Sequence, residues 1–179
     1  MREEGAWRHE RFTIRIVDRH PDGAYRTIDF ELSGVPGVRG VRGDRIASLT
    51  REHRFRFVVP REYPHDLDLQ IRALTALFHP RISGETGKAC YQVHGEIDRV
   101  LNDLLYNVLL RPDVVRPPNL YRGADWGLEK RKMEWYMDAG PERVHAHLLD
   151  AWRREMRGGA PAEDPDDEGD DLHAVRFLG

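Results

Sequence analysis

Apolar residues recur at every second position through much of the first seventy-odd residues. In "RFTIRIV" (11–17), Phe12, Ile14 and Ile16 fall on one side and Thr13 and Arg15 on the other. One buried face and one wet face predict a strand. "TIDFEL" (27–32) alternates again through Ile28, Phe30 and Leu32, and the intervening "DRHPDGAY" holds a Pro-Asp-Gly turn, so the two runs predict a hairpin. "HRFRFVVP" (53–60) gives Phe55, Phe57 and Val59 on one face, and "LDLQIRAL" (67–74) gives Leu67, Leu69 and Ile71. Between the second and third runs, residues 33–52 carry four glycines and a proline and are expected to form a long, mobile loop. "PREYPHD" (60–66) is a turn-rich joint around Tyr63-Pro64. The pattern predicts four strands in an antiparallel meander.

The period then changes. In "IDRVLNDLLYNVLL" (97–110), Ile97, Val100, Leu101, Leu104, Leu105, Val108 and Leu109 follow helical spacing. They predict an amphipathic helix that lays one stripe on a core. "RPDVVRPPN" is expected to end it, because proline cannot continue a helix. Two further helices are predicted over about 122–137 and 141–157, the second with Pro141 in its first turn and with Val144, Leu148, Ala151 and Trp152 on its inner face. Strands first and helices after define an α+β fold. A domain over 1–157 followed by an acidic, flexible tail over 158–179 is the expected organisation.

The chain has 179 residues, enough for one domain with a sizeable core. No apolar run approaches the roughly 20 residues of a membrane helix. The start, "MREEGAWRHERF", lacks a signal-peptide core, so a cytoplasmic protein without membrane contact is expected. Of the 28 basic residues, only Lys88, Lys130 and Lys132 are lysines; the bias towards arginine suggests a GC-rich bacterial genome. The net charge is -3. Residues 158–179 hold seven acidic residues and one arginine, net -6, which leaves +3 on the rest. The basic residues are scattered, so nucleic acid is not an expected partner. The tail's acidic run (158–171) should be mobile and dispensable for activity. The closing "LHAVRFLG" offers Leu172, Val175 and Phe177 to a docking partner.

The single cysteine, Cys90, stands in "LFHPRISGETGKACYQ" (77–92). A free cysteine is most often a small buried hydrophobe. Here the Gly-rich, polar "SGETGKAC" places it in irregular structure near the surface, with Lys88 two residues away, a setting that favours a reactive thiol. A Cys-His hydrolase would need a base, and His79 and His94 are near, but the signatures around such nucleophiles are missing. A zinc site wants four ligands, and His79, Cys90 and His94 offer three at irregular spacing. Neither a metal nor a cofactor is expected. His145 and His147, two apart on a predicted helix, are expected to face solvent.

The order of motifs resembles ubiquitin-conjugating enzymes over about residues 11–138. Tyr63-Pro64 follows the third strand, His79-Pro80-Arg81 stands where the family has His-Pro-Asn, and "GKAC" (87–90) corresponds to the family's Gly-x-x-Cys before a crossing helix. The resemblance implies a meander, a cysteine loop and helices. It implies that Cys90 takes a ubiquitin-like protein from an activating enzyme as a thioester and passes it to an acceptor. A divergent bacterial relative of this kind would work beside a deconjugating peptidase, often in antiphage defence. The site residues implied are Cys90, His79 as organiser of the loop or as base, Arg81 in the place of the family's Asn, where it could donate to an oxyanion, and Asp113 as the acid that steers an acceptor lysine. Three departures stand out. Arg81 replaces an amide, and Asp113 lies off the family position, with Arg116 nearer to it. The first helix of the family is abbreviated or missing. The alternative is a non-catalytic module of the same fold that only binds a ubiquitin-like protein.

Overall fold

Four strands form one antiparallel sheet in chain order: β1 (Phe12–Arg19), β2 (Tyr25–Arg42), β3 (Arg45–Val58) and β4 (Gln70–Ala73). The computed structural model describes residues 12–23, 25–62, 70–90, 97–115 and 129–158. Helices α1 (Ile97–Val108), α2 (Pro112–Val115), α3 (Lys130–Ala139) and α4 (Pro141–Met156) follow the strands. The α+β meander expected from the alternation is therefore present.

The period-two pattern sorts the faces of the sheet. Ile28, Phe30, Leu32, Phe55, Phe57, Ile71 and Ala73 point into the core, with the Phe30 and Phe57 rings 4.3 Å apart. On the opposite face Asp29 is 1% exposed. The long side chains of Arg15 and Arg56 cover it, with nitrogen–oxygen contacts of 3.0 and 2.8 Å. Chiefly through the Arg56 hydrogen bond, they hold its carboxyl below the usual range. The side chains of Phe12, Ile14, Ile16 and Ile97, together with Leu67, Leu69 and the Tyr63-Pro64 joint, lie outside what is described.

The expected loop over 33–52 is instead strand. β2 and β3 run on past the meander to a two-residue turn, Gly43-Asp44, with Arg42 paired to Arg45. Gly43 has φ 59°, a backbone that glycine adopts without strain. The glycines and proline are there for bulges. Pairing jumps from Ser33↔Glu52 to Gly37↔Thr50, so Pro36 falls where no ladder bond is asked of it. Gly37 is a close approach. A Cβ there would lie 2.6 Å from His53 Cε1 and 2.8 Å from Leu77 Cδ1. Composition argued for a loop, and packing required the same residues in a bent strand.

The apolar stripe of α1 is buried as the spacing predicts: Val100, Leu101, Leu104, Leu105, Val108 and Leu109 all belong to the core. The helix stops at Val108 rather than at 110. Leu110 takes a left-handed φ of 51°. Its N–H donates to Asn107 O at 2.8 Å, and that of Arg111 donates to Tyr106 O at 3.0 Å. This is the Schellman arrangement, here without its usual glycine. Burial of the Leu110 side chain and the bond from Tyr136 Oη to its carbonyl (3.0 Å) hold the strained turn. Pro112 then starts the single turn of α2 rather than ending helical structure, as its fixed φ allows at a first position. The helix expected over 122–137 is seen from Lys130 to Ala139, and residues 122–128 lie outside what is described. α4 buries Val144, Leu148 and Ala151 as expected and half-buries Trp152. An ion pair from Glu155 to Arg51 ties its last turns to β3. His145, expected in solvent, is half-buried and donates through Nδ1 to Leu109 O at 2.8 Å. Residues 1–11 and the tail from 159 lie outside what is described.

Candidate active site

The segment after β4 turns inward. Leu77 and Phe78 are buried, and the Phe78 N–H donates to Val38 O on β2 at 2.8 Å. His79, Pro80 and Arg81 follow, all buried. The next stretch, expected to be irregular, is a small hairpin. Ile82 bridges Ala89, and Lys88 bridges Arg72 on β4. The N–H of Ala73 donates to Gly87 O at 2.8 Å and that of Ala89 to Ile71 O at 2.9 Å, so the second arm adds to the edge of the sheet. Ser83 closes the turn. Its N–H donates to Lys88 O, its carbonyl accepts from Gly87 (2.9 Å each), and its Oγ accepts from Glu85 and Thr86. Gly87 sits at φ 68°, where a Cβ would be strained. A tight, hydroxyl-capped turn explains why the run "SGETG" is so polar and small.

Cys90 follows that second arm at once. It is a free thiol of intermediate exposure. The Arg81 peptide knits the three residues of interest together. Its N–H donates to His79 Nδ1 at 2.9 Å, and its carbonyl accepts from the Cys90 N–H at 2.8 Å.

The His79 ring is 1% exposed. Because Nδ1 accepts from Arg81, the ring proton sits on Nε2, which donates to Asn107 O at 3.0 Å. Burial drives its pKa down to about 3, the Lys132 and Arg81 charges push the same way, and the Asn107 carbonyl opposes them. A neutral ring with both nitrogens engaged ties the loop to α1 and leaves no free lone pair on the ring. Arg81 is also buried, and its Nε donates to Val115 O at 2.8 Å. It therefore braces the loop against the end of α2. Asp113 is exposed on α2 and forms a two-pronged pair with Arg111 at 2.6 and 2.9 Å. The Arg111 guanidinium in turn lies 3.9 Å from the centre of the Tyr106 ring. The structure thus joins His79, Arg81 and Cys90 through one peptide, while Asp113 is engaged with its neighbour. His94 and Arg116 lie outside what is described.

Sequence reasoning missed the far support of the hairpin. Glu129 Oε1 accepts the Gly84 N–H at 2.6 Å, and Lys132 Nζ donates to Ile82 O at 3.3 Å. Lys132, Met133 and Tyr136 share the buried stripe of α3. A lysine on an apolar helical stripe was the available signal. A groove of about 350 Å³ lies between the β2–β3 turn and α4, lined by Asp44, Arg45, Ile46, Arg143, Val144 and His147. No cluster of three or more metal-ligating side chains occurs among the described residues, and no described helix is long and apolar enough to cross a membrane.

No protein-family model matches this chain, and no curated protein matches it. Among solved structures, it is similar to a Plasmodium yoelii protein assigned as a ubiquitin conjugating enzyme. That match has 16% identity and a TM-score of 0.47, covering 83% of this chain and 84% of the other. The E2 domain of a Toxoplasma gondii ubiquitin conjugating enzyme matches at 18% identity and a TM-score of 0.45, covering 79% and 85%. At that identity and overlap neither neighbour assigns an activity to this chain.

Proposed function

We propose that the protein carries a ubiquitin-like protein as a thioester on Cys90 and passes it to an amine. The observation that carries this reading is the Arg81 backbone, which holds the Cys90 N–H on one side and the neutral, buried His79 on the other, and so fixes a partly exposed cysteine at the end of a braced hairpin. A thioester reacts with amines yet is slow in water, so this chemistry asks for a held, accessible sulfur rather than an enclosed pocket. In charging, the Cys90 thiolate attacks the carrier's C-terminal thioester carbonyl. A new C–S bond forms, the bond to the activating enzyme's sulfur breaks, and that thiolate takes a proton from solvent. In discharge, the acceptor nitrogen attacks the same carbonyl, the C–N bond forms, Cys90 leaves as thiolate and the amine proton passes to solvent. His79 and Arg81 act on the loop. The partners are a carrier protein and an activating enzyme in a bacterial cytoplasm, with a deconjugating peptidase and antiphage defence as the setting.

Ubiquitin bearing a C-terminal mercaptoethanesulfonate thioester tests the reading without an activating enzyme. Cys90 in the folded chain should be acylated faster than in the same chain unfolded in urea. The adduct should be sensitive to reductant and absent from Cys90→Ala, and Cys90→Ser should give a reductant-resistant ester. Equal rates in folded and unfolded protein would sink the idea. Tight binding of ubiquitin without acylation would favour the binding module, a reading supported by the engagement of Asp113 with Arg111.

A further inference from the structure

The first turn of α3 grips the cysteine hairpin from the side opposite the sheet. The Glu129 carboxylate takes the Gly84 N–H at 2.6 Å and lies 3.8 Å from Lys132 Nζ. The ammonium reaches on to Ile82 O at 3.3 Å and stands 5.6 Å from the centre of the Phe78 ring. Both atoms gripped in the hairpin are backbone. Ile82 is the bridge partner of Ala89, and Arg81 beside it accepts from the Cys90 N–H. The grip is thus one ladder rung from the thiol.

Folding alone does not ask for this pair. Lys132 is 7% exposed, and burying an ammonium beside a carboxylate at 3.8 Å costs desolvation that a methionine of similar volume would avoid. The sheet already holds the second arm of the hairpin through the bonds of Gly87, Lys88 and Ala89. What the sheet does not hold is the first arm, which carries Ile82, and the turn after it, which carries Gly84. During transfer the sulfur bears a whole protein, and the attacking amine must meet the carbonyl along one line. A shift of about 1 Å can cost two orders of magnitude in rate.

We propose that Glu129 and Lys132 are positioning residues for transfer at Cys90, clamping the first arm of the hairpin so that the acylated sulfur keeps one orientation. The inference rests on the thioester reading above. It is tested in the full chain with Lys132→Met, Glu129→Ala and Glu129→Gln. Cys90 is acylated with the ubiquitin thioester, and discharge to free lysine is followed in single turnovers, with melting temperature measured in parallel. Lys132→Met and Glu129→Ala should slow discharge about tenfold at saturating lysine, with melting within a few degrees of the parent. Glu129→Gln, whose amide oxygen can still accept from Gly84, should recover most of the rate. Wild-type discharge in Glu129→Ala overturns the inference while the thioester reading stands, and Glu129→Ala alone decides if Lys132→Met does not fold. Loss of melting temperature with an unchanged rate per folded molecule also overturns it. Failure of the parent chain to be acylated overturns the reading beneath it instead.

Discussion

Replacing His79 with asparagine should remove one proton from the acid unfolding of this protein. The ring is buried, and its pKa falls from 6.5 to about 3. Above pH 6.5 the imidazole is neutral in the folded and unfolded chain, and its full contribution is present. Below that, the unfolded chain binds a proton that the folded chain refuses, so stability falls by about 1.36 kcal/mol per pH unit from this group. The loss continues until the pH nears the folded value, roughly 3–5 kcal/mol in all. Between pH 6.5 and about 4.5 the share of His79 is about 2–3 kcal/mol. The amide of His79→Asn would keep an oxygen for the Arg81 N–H but lose the donor to Asn107 O, which should cost about 1–2 kcal/mol at neutral pH. The variant therefore starts lower and falls more gently. Some slope remains, because burial also depresses the pKa of His53. Urea unfolding of both proteins at several pH values measures the difference. Parallel lines for parent and variant, or a His79 ring resonance titrating near its ordinary value, would refute the burial argument.

Other perturbations probe the frame around the site. Leu104 is 0% exposed in the middle of the α1 stripe, so Leu104→Ala should cost about 2–5 kcal/mol in urea unfolding. Gly37→Ala would drive a methyl to within 2.6 Å of His53 and 3.2 Å of Val108. It should destabilise by about 1–3 kcal/mol, and a neutral result in a thermal melt would mean that the strand shifts freely. Asp29→Asn weakens two arginine contacts and should cost about 1–2 kcal/mol at neutral pH. The Asp29 carboxyl is held below 3.8 when folded, so its contribution is lost as the pH falls through that depressed value, and the deficit of the variant should close there.

The parts of the fold that were legible in the sequence are those where one period sets one face. Ile28, Phe30 and Leu32 alternate, Leu101, Leu104 and Leu105 fall on a helical stripe, and all six are buried. Residues 33–52 were illegible because Gly34, Pro36 and Gly37 are also what a bulged, closely packed strand needs. The cysteine stood out by being single, but its hairpin did not, since Ser83 and Gly87 are turn residues and loop residues alike. His145 looked like a surface residue until the end of α1 put the Leu109 carbonyl beside it. Lys132 showed only as a lysine on an apolar helical stripe, and its contact with Ile82 and that of Glu129 with Gly84 were not legible, because local pattern carries no information about a partner on another element.

The clamp on the cysteine hairpin joins residues far apart in synthesis. Glu129 lies 45 positions beyond Gly84, and Lys132 lies 50 beyond Ile82. The β2–β3 hairpin, closed by a two-residue turn, can pair as soon as it clears the ribosome. The first arm of the cysteine hairpin cannot be gripped until some fifty more residues have been made, about 2.5–10 s at ordinary rates of elongation. For that interval the nascent chain presents its one thiol on a half-supported loop. The length of that interval is set by the speed of translation, and slow codons between Cys90 and α3 would prolong it.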